Sequence, residues 1–118
     1  MPPKSPEPPV ANPNSEMKAM AESFRTRAFM LDAEVEMRFK DPSLTAKDYI
    51  SDSNELYLIA VSPTDKRMEI AALRTRLRAK QVALSNKMYL WAGDEVHKKA
   101  TDLVNDMLAL VDSFERLL

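Results

Sequence analysis

Glycine is almost absent from this chain, which has only Gly93 among its 118 residues. Average usage is roughly 7%, or about eight residues at this length. Tight β-hairpins, β-bulges and phosphate-binding loops need glycine at backbone positions with positive φ. The scarcity therefore excludes a many-stranded sandwich or barrel, a Walker-type phosphate loop and a dinucleotide-binding fingerprint, and it favours an all-α protein.

The side chains offer little for catalysis. The chain has no cysteine and one histidine, which excludes a disulfide framework, a thiolate nucleophile and a thiolate zinc site. His97 has no second histidine with which to share a metal, and we expect it to lie in solvent. The carboxylates are scattered along helix flanks with no acid/base pair. We therefore expect no catalytic residue, metal, cofactor or small-molecule substrate, and thus a non-enzymatic protein.

The sequence also bears on the compartment. The N-terminal residues MPPKSPEPPV lack the apolar stretch of a signal peptide. The longest wholly apolar run, residues 56–61, is far shorter than the ~20 residues that span a bilayer. We expect a cytoplasmic or nuclear protein without a signal peptide or a transmembrane segment.

The prolines divide the chain. Six of the eight lie within residues 1–13, and so proline-rich a segment cannot bury enough apolar surface to order itself. We expect residues 1–13 to form a disordered tail that acts as a tether or regulatory peptide, with Ser5 as a candidate phosphorylation site. Residues 14–118 then form one helical domain.

Breakers and caps in that domain predict four helices, over about residues 15–40, 45–61, 63–91 and 94–118. The second would start at a capping box from Thr45 to Asp48, and the third at Ser62, followed by a proline at the first helical position. Gly93 would terminate the third helix. One long helix over residues 63–118 is the alternative, since a single glycine costs only ~1 kcal/mol inside a helix.

Apolar residues follow alternating four- and three-residue spacing on the first and fourth predicted helices, which is typical of a coiled-coil seam. The first helix carries Met17, Ala21, Phe24, Ala28, Leu31 and Val35, and the fourth carries Val96, Ala100, Leu103, Met107, Leu110, Phe114 and Leu117. Met30 and Met37 lie on the side of the first helix opposite its seam. The pattern predicts an antiparallel helical bundle or a coiled-coil-like helical hairpin.

These apolar faces exceed what a short four-helix monomer has to cover. We therefore predict partner-binding residues at Val96, Leu103, Met107, Leu110, Phe114, Leu117, Met30 and Met37. Methionine adapts to irregular contacts and is common at such interfaces. The partner would be a protein with amphipathic helices or a second copy in a homodimer. The alternative is that the whole set is intramolecular core.

Residues 66–87 hold seven basic side chains and one acidic one, a local net charge of +6 in a chain of −1. A charge-complementary flank is predicted at Arg67, Arg74, Arg76, Arg78, Lys80 and Lys87. We expect Arg76, Lys80 and Lys87 to meet an acidic flank of the fourth helix, formed by Glu95, Asp102 and Asp106, or to select an acidic partner.

Two functions remain open beside the leading one. The leading hypothesis is an assembly subunit or adaptor that packs amphipathic helices against a partner. The first alternative is a nucleic-acid-binding accessory protein that uses the basic stripe over residues 66–87. For the second, Trp91-Ala92-Gly93 resembles the Trp-x-Gly turn of a family of small secreted helical hairpins, which implies export. That family has its turn near mid-chain, whereas only about 25 residues follow Gly93 here.

Overall fold

A computed structural model describes residues 13–39, 46–86 and 95–118 of the chain. They form four α-helices, namely α1 (Pro13–Phe39), α2 (Lys47–Val61), α3 (Arg67–Ser85) and α4 (Glu95–Glu115), and one 3-10 turn (Pro63–Asp65). No strand occurs among these described residues. The predicted all-α fold is confirmed.

Several predicted helix bounds differ from the observed ones. Helix α1 begins at Pro13, inside the predicted tail. Proline is tolerated there because the N–H groups of the first helical turn have no acceptor within the helix, so the missing N–H costs no hydrogen bond. Helix α3 ends at Ser85, with Asn86 as its C-cap residue. Residues 1–12, with Ser5, and residues 87–94, with Lys87, Trp91 and Gly93, lie outside the described residues.

The start of α2 differs in its capping. The N-cap residue of α2 is Ala46, which makes no side-chain capping bond. The backbone N–H of Ala46 instead donates to Asp32 Oδ1 of α1 at 2.9 Å. A distant carboxylate thus satisfies a donor near the start of α2, where intrahelical acceptors are missing. Thr45 itself lies outside the described residues.

The predicted break before α3 is present, with a different local form. Residues Pro63–Asp65 make a separate 3-10 turn with proline near its start, and α3 begins only at Arg67. Ser62 makes no capping bond to a backbone N–H. Its hydroxyl donates instead to Asp65 Oδ2 at 2.6 Å, which closes the turn through side chains.

Helices α3 and α4 run antiparallel, which excludes one long rod over residues 63–118. Arg74, near the start of α3, pairs with Asp112 and Glu115 near the end of α4. Further along, Gln81 Nε2 donates to Asn105 Oδ1 at 2.9 Å. The paired residue numbers fall on α4 as they rise on α3, so the chain folds back between the two helices.

Helix α4 also lies antiparallel to α1, and α2 packs against both α1 and α3. Arg27 pairs with Asp106, and Glu34 pairs with Lys99, so the numbers again run in opposite directions. Four helices packed in this way form an antiparallel bundle, as predicted. Its core contains the whole predicted seam of α1 and most of that of α4.

This core corrects the prediction for α4. Five of the six α4 residues predicted to bind a partner are buried inside the chain's own bundle: Val96, Leu103, Met107, Leu110 and Phe114. In this fold they are not accessible to a partner, because α1, α2 and α3 already cover the wide apolar face of α4. Leu117, beyond the end of α4, remains partly exposed.

The predicted charge pairing between α3 and α4 is also wrong in its partners. Arg76 and Lys80 face α2, where they pair with Asp52 and Glu55. The acidic flank of α4 faces α1 instead: Asp106 pairs with Arg27, and Glu95 lies 3.9 Å from Arg38. The packing of α4 between α1 and α3 turns this flank away from the basic residues of α3.

Candidate functional site

Helix α1 has a second face that no other described helix covers. Met30 and Met37 are 67% and 77% exposed, so these two of the eight predicted partner-binding residues lie fully at the surface. They belong to a set of exposed residues at four-three spacing, which we call the outer stripe: Ala19, Ser23, Thr26, Met30, Ala33 and Met37. Each stripe position lies two residues beyond a buried seam position, about 200° around the helix.

The outer stripe borders a groove between α1 and α4, which we call the α1–α4 groove. Its volume is about 520 Å³, and its lining comprises Arg27, Met30, Leu31, Ala33, Glu34, Met37, Lys99, Asp102 and Leu103. Leu31 and Leu103 are buried core residues and form its base, while the two methionines form its outer wall. The groove therefore combines an apolar interior with a charged rim.

Ion pairs cross from one wall of the groove to the other. Arg27 Nη1 lies 2.7 Å from Asp106 Oδ2, and Lys99 Nζ lies 2.9 Å from Glu34 Oε2. Such exposed pairs contribute only ~0.2–1 kcal/mol each, so their main effect is to fix the register of α1 against α4. Asp102, between Lys99 and Asp106 along α4, makes no ion pair with any described residue.

The groove has the surface pattern that complements an amphipathic helix. A 3.6-residue repeat of apolar side chains fits an apolar groove with a polar rim. Within the part of the chain that the structure describes, no three histidine or acidic side chains come together to hold a metal ion. Two carboxylates and two basic groups line the rim, so it carries no net charge that would select an anion or a cation.

His97 is a structural residue in this fold. Its Nε2 lies 2.8 Å from the carbonyl oxygen of Leu84, and because a carbonyl only accepts, Nε2 carries the proton and donates. The bond ties the first turn of α4 to the last turn of α3, where carbonyls lack intrahelical partners. The expectation that His97 lies in solvent is therefore wrong.

Carboxylates of the same chain neutralise much of the basic stripe. Arg74 donates to Asp112 and Glu115 of α4. The hydrogen bonds to Glu115 and then Asp112 raise the pKa of Arg74, and the bond from Arg74 lowers the pKa of Asp112. Arg67 and Arg78 are exposed, with no ion pair to a described residue.

A buried charge pair between α2 and α3 was missed at the sequence level. Asp52 is almost fully buried, Lys80 Nζ lies 2.8 Å from its Oδ2, and Arg76 Nε lies 3.7 Å from its Oδ1. The signal was present, because Asp52 shares four-three spacing with Tyr49 and Leu56 on the buried face of α2. A carboxylate at a seam position needs a nearby cation, which α3 supplies.

The remaining groove residues were missed because they are polar or small. Ala33 lies on the outer stripe between the two methionines, and the rim is formed by Arg27, Glu34, Lys99 and Asp102. A search for a second set at four-three spacing, shifted by two residues from the first, would have found the stripe. The rim depends on which helix packs beside α1, and spacing alone does not give that.

Known proteins give no further indication of function. No model of a protein family, no curated protein and no solved structure matches this chain. Among its described helices, none is both long enough and apolar enough to cross a bilayer.

Proposed function

We propose that the protein is a non-enzymatic assembly subunit or adaptor, which binds an amphipathic helix in the α1–α4 groove. The observation that carries the proposal is the exposure of Met30 and Met37 beside a groove with an apolar base. A helix that only closed one bundle would have a single apolar stripe. Helix α1 buries one apolar stripe within the chain, and its outer stripe leaves Met30 and Met37 exposed beside Ala33.

The chemistry of the groove supports a protein helix as its ligand. Methionine side chains are flexible and polarisable, so they fit irregular apolar surfaces and are frequent where helices dock. A docked helix would bury both methionines together with Ala33. Burial of the exposed parts of both methionines contributes roughly 2–4 kcal/mol of apolar transfer free energy before the cost of association. A micromolar contact, about 8 kcal/mol, therefore needs further contacts beside these two.

Other exposed surfaces fit a partner helix less well. A groove of about 450 Å³ beside α2 has Leu58 and Ile59 as its apolar lining, but its other lining residues are polar or charged: Ser51, Asn54, Glu55, Lys66 and Glu69. For nucleic acid, Arg74, Arg76 and Lys80 already pair with carboxylates. These intrachain ion pairs account for the three positive charges without a phosphate ligand.

Site-specific photocrosslinking in the native cell tests this function. A benzophenone amino acid replaces Met37 in the groove, and a matched variant carries it at Met68, the methionine of α3 that is 84% exposed. We expect the Met37 probe to crosslink reproducibly to a peptide that mass spectrometry identifies as an amphipathic helix, from another protein or from this chain. Adding Met30→Glu should abolish that crosslink, because it places a charge on the apolar wall.

The control defines the contrary outcome. Both probes are exposed on helices, so random collisions should label them equally. If Met37 and Met68 gave the same crosslinks at the same yield, or if Met30→Glu left the Met37 crosslink unchanged, the groove would not be a docking site.

A further inference from the structure

We propose that the helix docked at the α1–α4 groove is α1 of a second copy of this chain, packed antiparallel on the outer stripe that forms the outer wall of the groove. This inference rests on the proposed function and names its partner. Two observations carry it. When the outer stripes of two copies are aligned antiparallel in one register, large side chains face small ones, and basic side chains face acidic ones.

The size match arises when Met30 of one copy lies opposite Ala33 of the other. In that register Met37 lies opposite Thr26 of the second copy, and two-fold symmetry repeats both layers. Each large methionine then packs against a small residue, so that the facing layers interdigitate without overfilling or voids. A parallel pair would stack Met30 on Met30 and Ala33 on Ala33, which alternates overfilled layers with voids.

The charge match follows in the same register. The residues that flank the outer stripe on the side of α4 contact the same flanking positions of the second copy when the two α1 helices pack antiparallel. There, Arg27 of one copy lies opposite Glu34 of the other, and the two-fold axis gives this pair twice. Both side chains keep solvent access, at 38% and 24%, so each has room for a partner beyond Asp106 and Lys99. Reversed charges at these two positions make α1 self-complementary.

The neighbouring helices leave space for a second α1. The α1 residues that pair with α4 are Arg27, Glu34 and Arg38. Each follows a stripe residue by one position, which is a rotation of about 100° around the helix. Helix α4 therefore lies to one side of the stripe. A second α1 can seat on Met30, Ala33 and Met37 while the contacts within each bundle stay intact.

Engineered cysteines test both the partner and its direction, since the natural chain has none. In the proposed register, Thr26→Cys and Met37→Cys face each other across the dimer. Within one chain these positions are 11 residues apart, about 16 Å along the helix, whereas a disulfide needs Cα atoms within about 7 Å. An intrachain bond is thereby excluded.

We expect the double variant to form a covalent dimer under mild oxidation, and an equimolar mixture of the two single variants to do so as well. Neither single variant should crosslink to itself. Crosslinking of Met37→Cys alone would indicate a parallel pair and overturn the proposal. Circular dichroism of the reduced variants checks that the bundle is intact.

Solution mass provides the second readout. Met30→Glu should raise the dissociation constant of the dimer at least ~10-fold, whereas Met68→Glu, a matched charge on exposed α3, should leave it unchanged. A wild-type chain that is monomeric at every concentration would overturn the second copy as partner. In that case, a Met37 photocrosslink to a helix of another protein would leave the proposed function standing, and its absence would remove both.

Discussion

Alanine substitution of one buried and one exposed methionine should cost very different amounts of stability, although the sequence pattern predicts both residues to bind a partner. Met107 is 0% exposed and Met37 is 77% exposed. Replacing a buried methionine by alanine costs about 2–5 kcal/mol, because apolar burial is lost and a cavity remains. About a quarter of Met37 is buried, so its loss costs roughly 0.3–0.7 kcal/mol. The higher helix propensity of alanine offsets part of that cost.

Urea unfolding followed by circular dichroism measures both changes, at a protein concentration below self-association so that docking does not contribute. With a denaturant slope of about 2 kcal/mol per molar, Met107→Ala should lower the midpoint by ~1–2.5 M and Met37→Ala by less than ~0.4 M. Equal shifts for the two variants would refute the assignment of Met107 to the core and Met37 to the surface.

Three further substitutions test the charge and hydrogen-bond contacts by the same unfolding assay. Asp112→Asn should lower the unfolding free energy by ~0.2–1 kcal/mol at neutral pH, because water screens this exposed pair with Arg74. The pKa of Asp112 is lowered in the folded state. The loss of unfolding free energy in this variant should therefore be complete above the unfolded pKa of ~3.9 and vanish as pH falls through the folded pKa. A loss that persists at the lowest pH would contradict this. Lys80→Met should cost ~3 kcal/mol by leaving Asp52 with a weaker partner, and adding Asp52→Leu should recover most of it; no recovery would show that the two act independently. His97→Ala should cost ~1–2 kcal/mol through the lost bond to α3, whereas an unchanged midpoint would make that bond irrelevant to stability.

The sequence was sufficient for the helices and for the buried side of α1. The four-three spacing from Met17 to Val35 identifies core residues because a bundle must bury one stripe of each helix. On α4 the same reasoning assigned Leu103 and Met107 to a partner, although the chain's own helices cover them. Periodicity shows which face is apolar and does not say which helix covers it.

The charge contacts were less predictable for the same reason. Arg76 was expected to meet α4 and meets α2 instead. Pairing across helices depends on the order in which they pack around the core, which four separate amphipathic patterns leave open. Met30 and Met37 were identified as a second apolar face because they lie on the side of the first helix opposite its seam. The groove beside them could not be predicted without knowing where α4 packs.

Methionine methyl NMR tests the central claim, that the outer stripe of α1 is the docking surface, most directly. Carbon-13 labelling of the ε-methyl groups gives one probe at each of the eight methionines, including Met30 and Met37 on the stripe, Met68 on exposed α3 and Met107 in the core. On dilution, the account predicts that the Met30 and Met37 resonances shift together along one binding curve, while those of Met68 and Met107 stay fixed. Stationary Met30 and Met37 resonances, with concentration-dependent shifts confined to Met68, would contradict it.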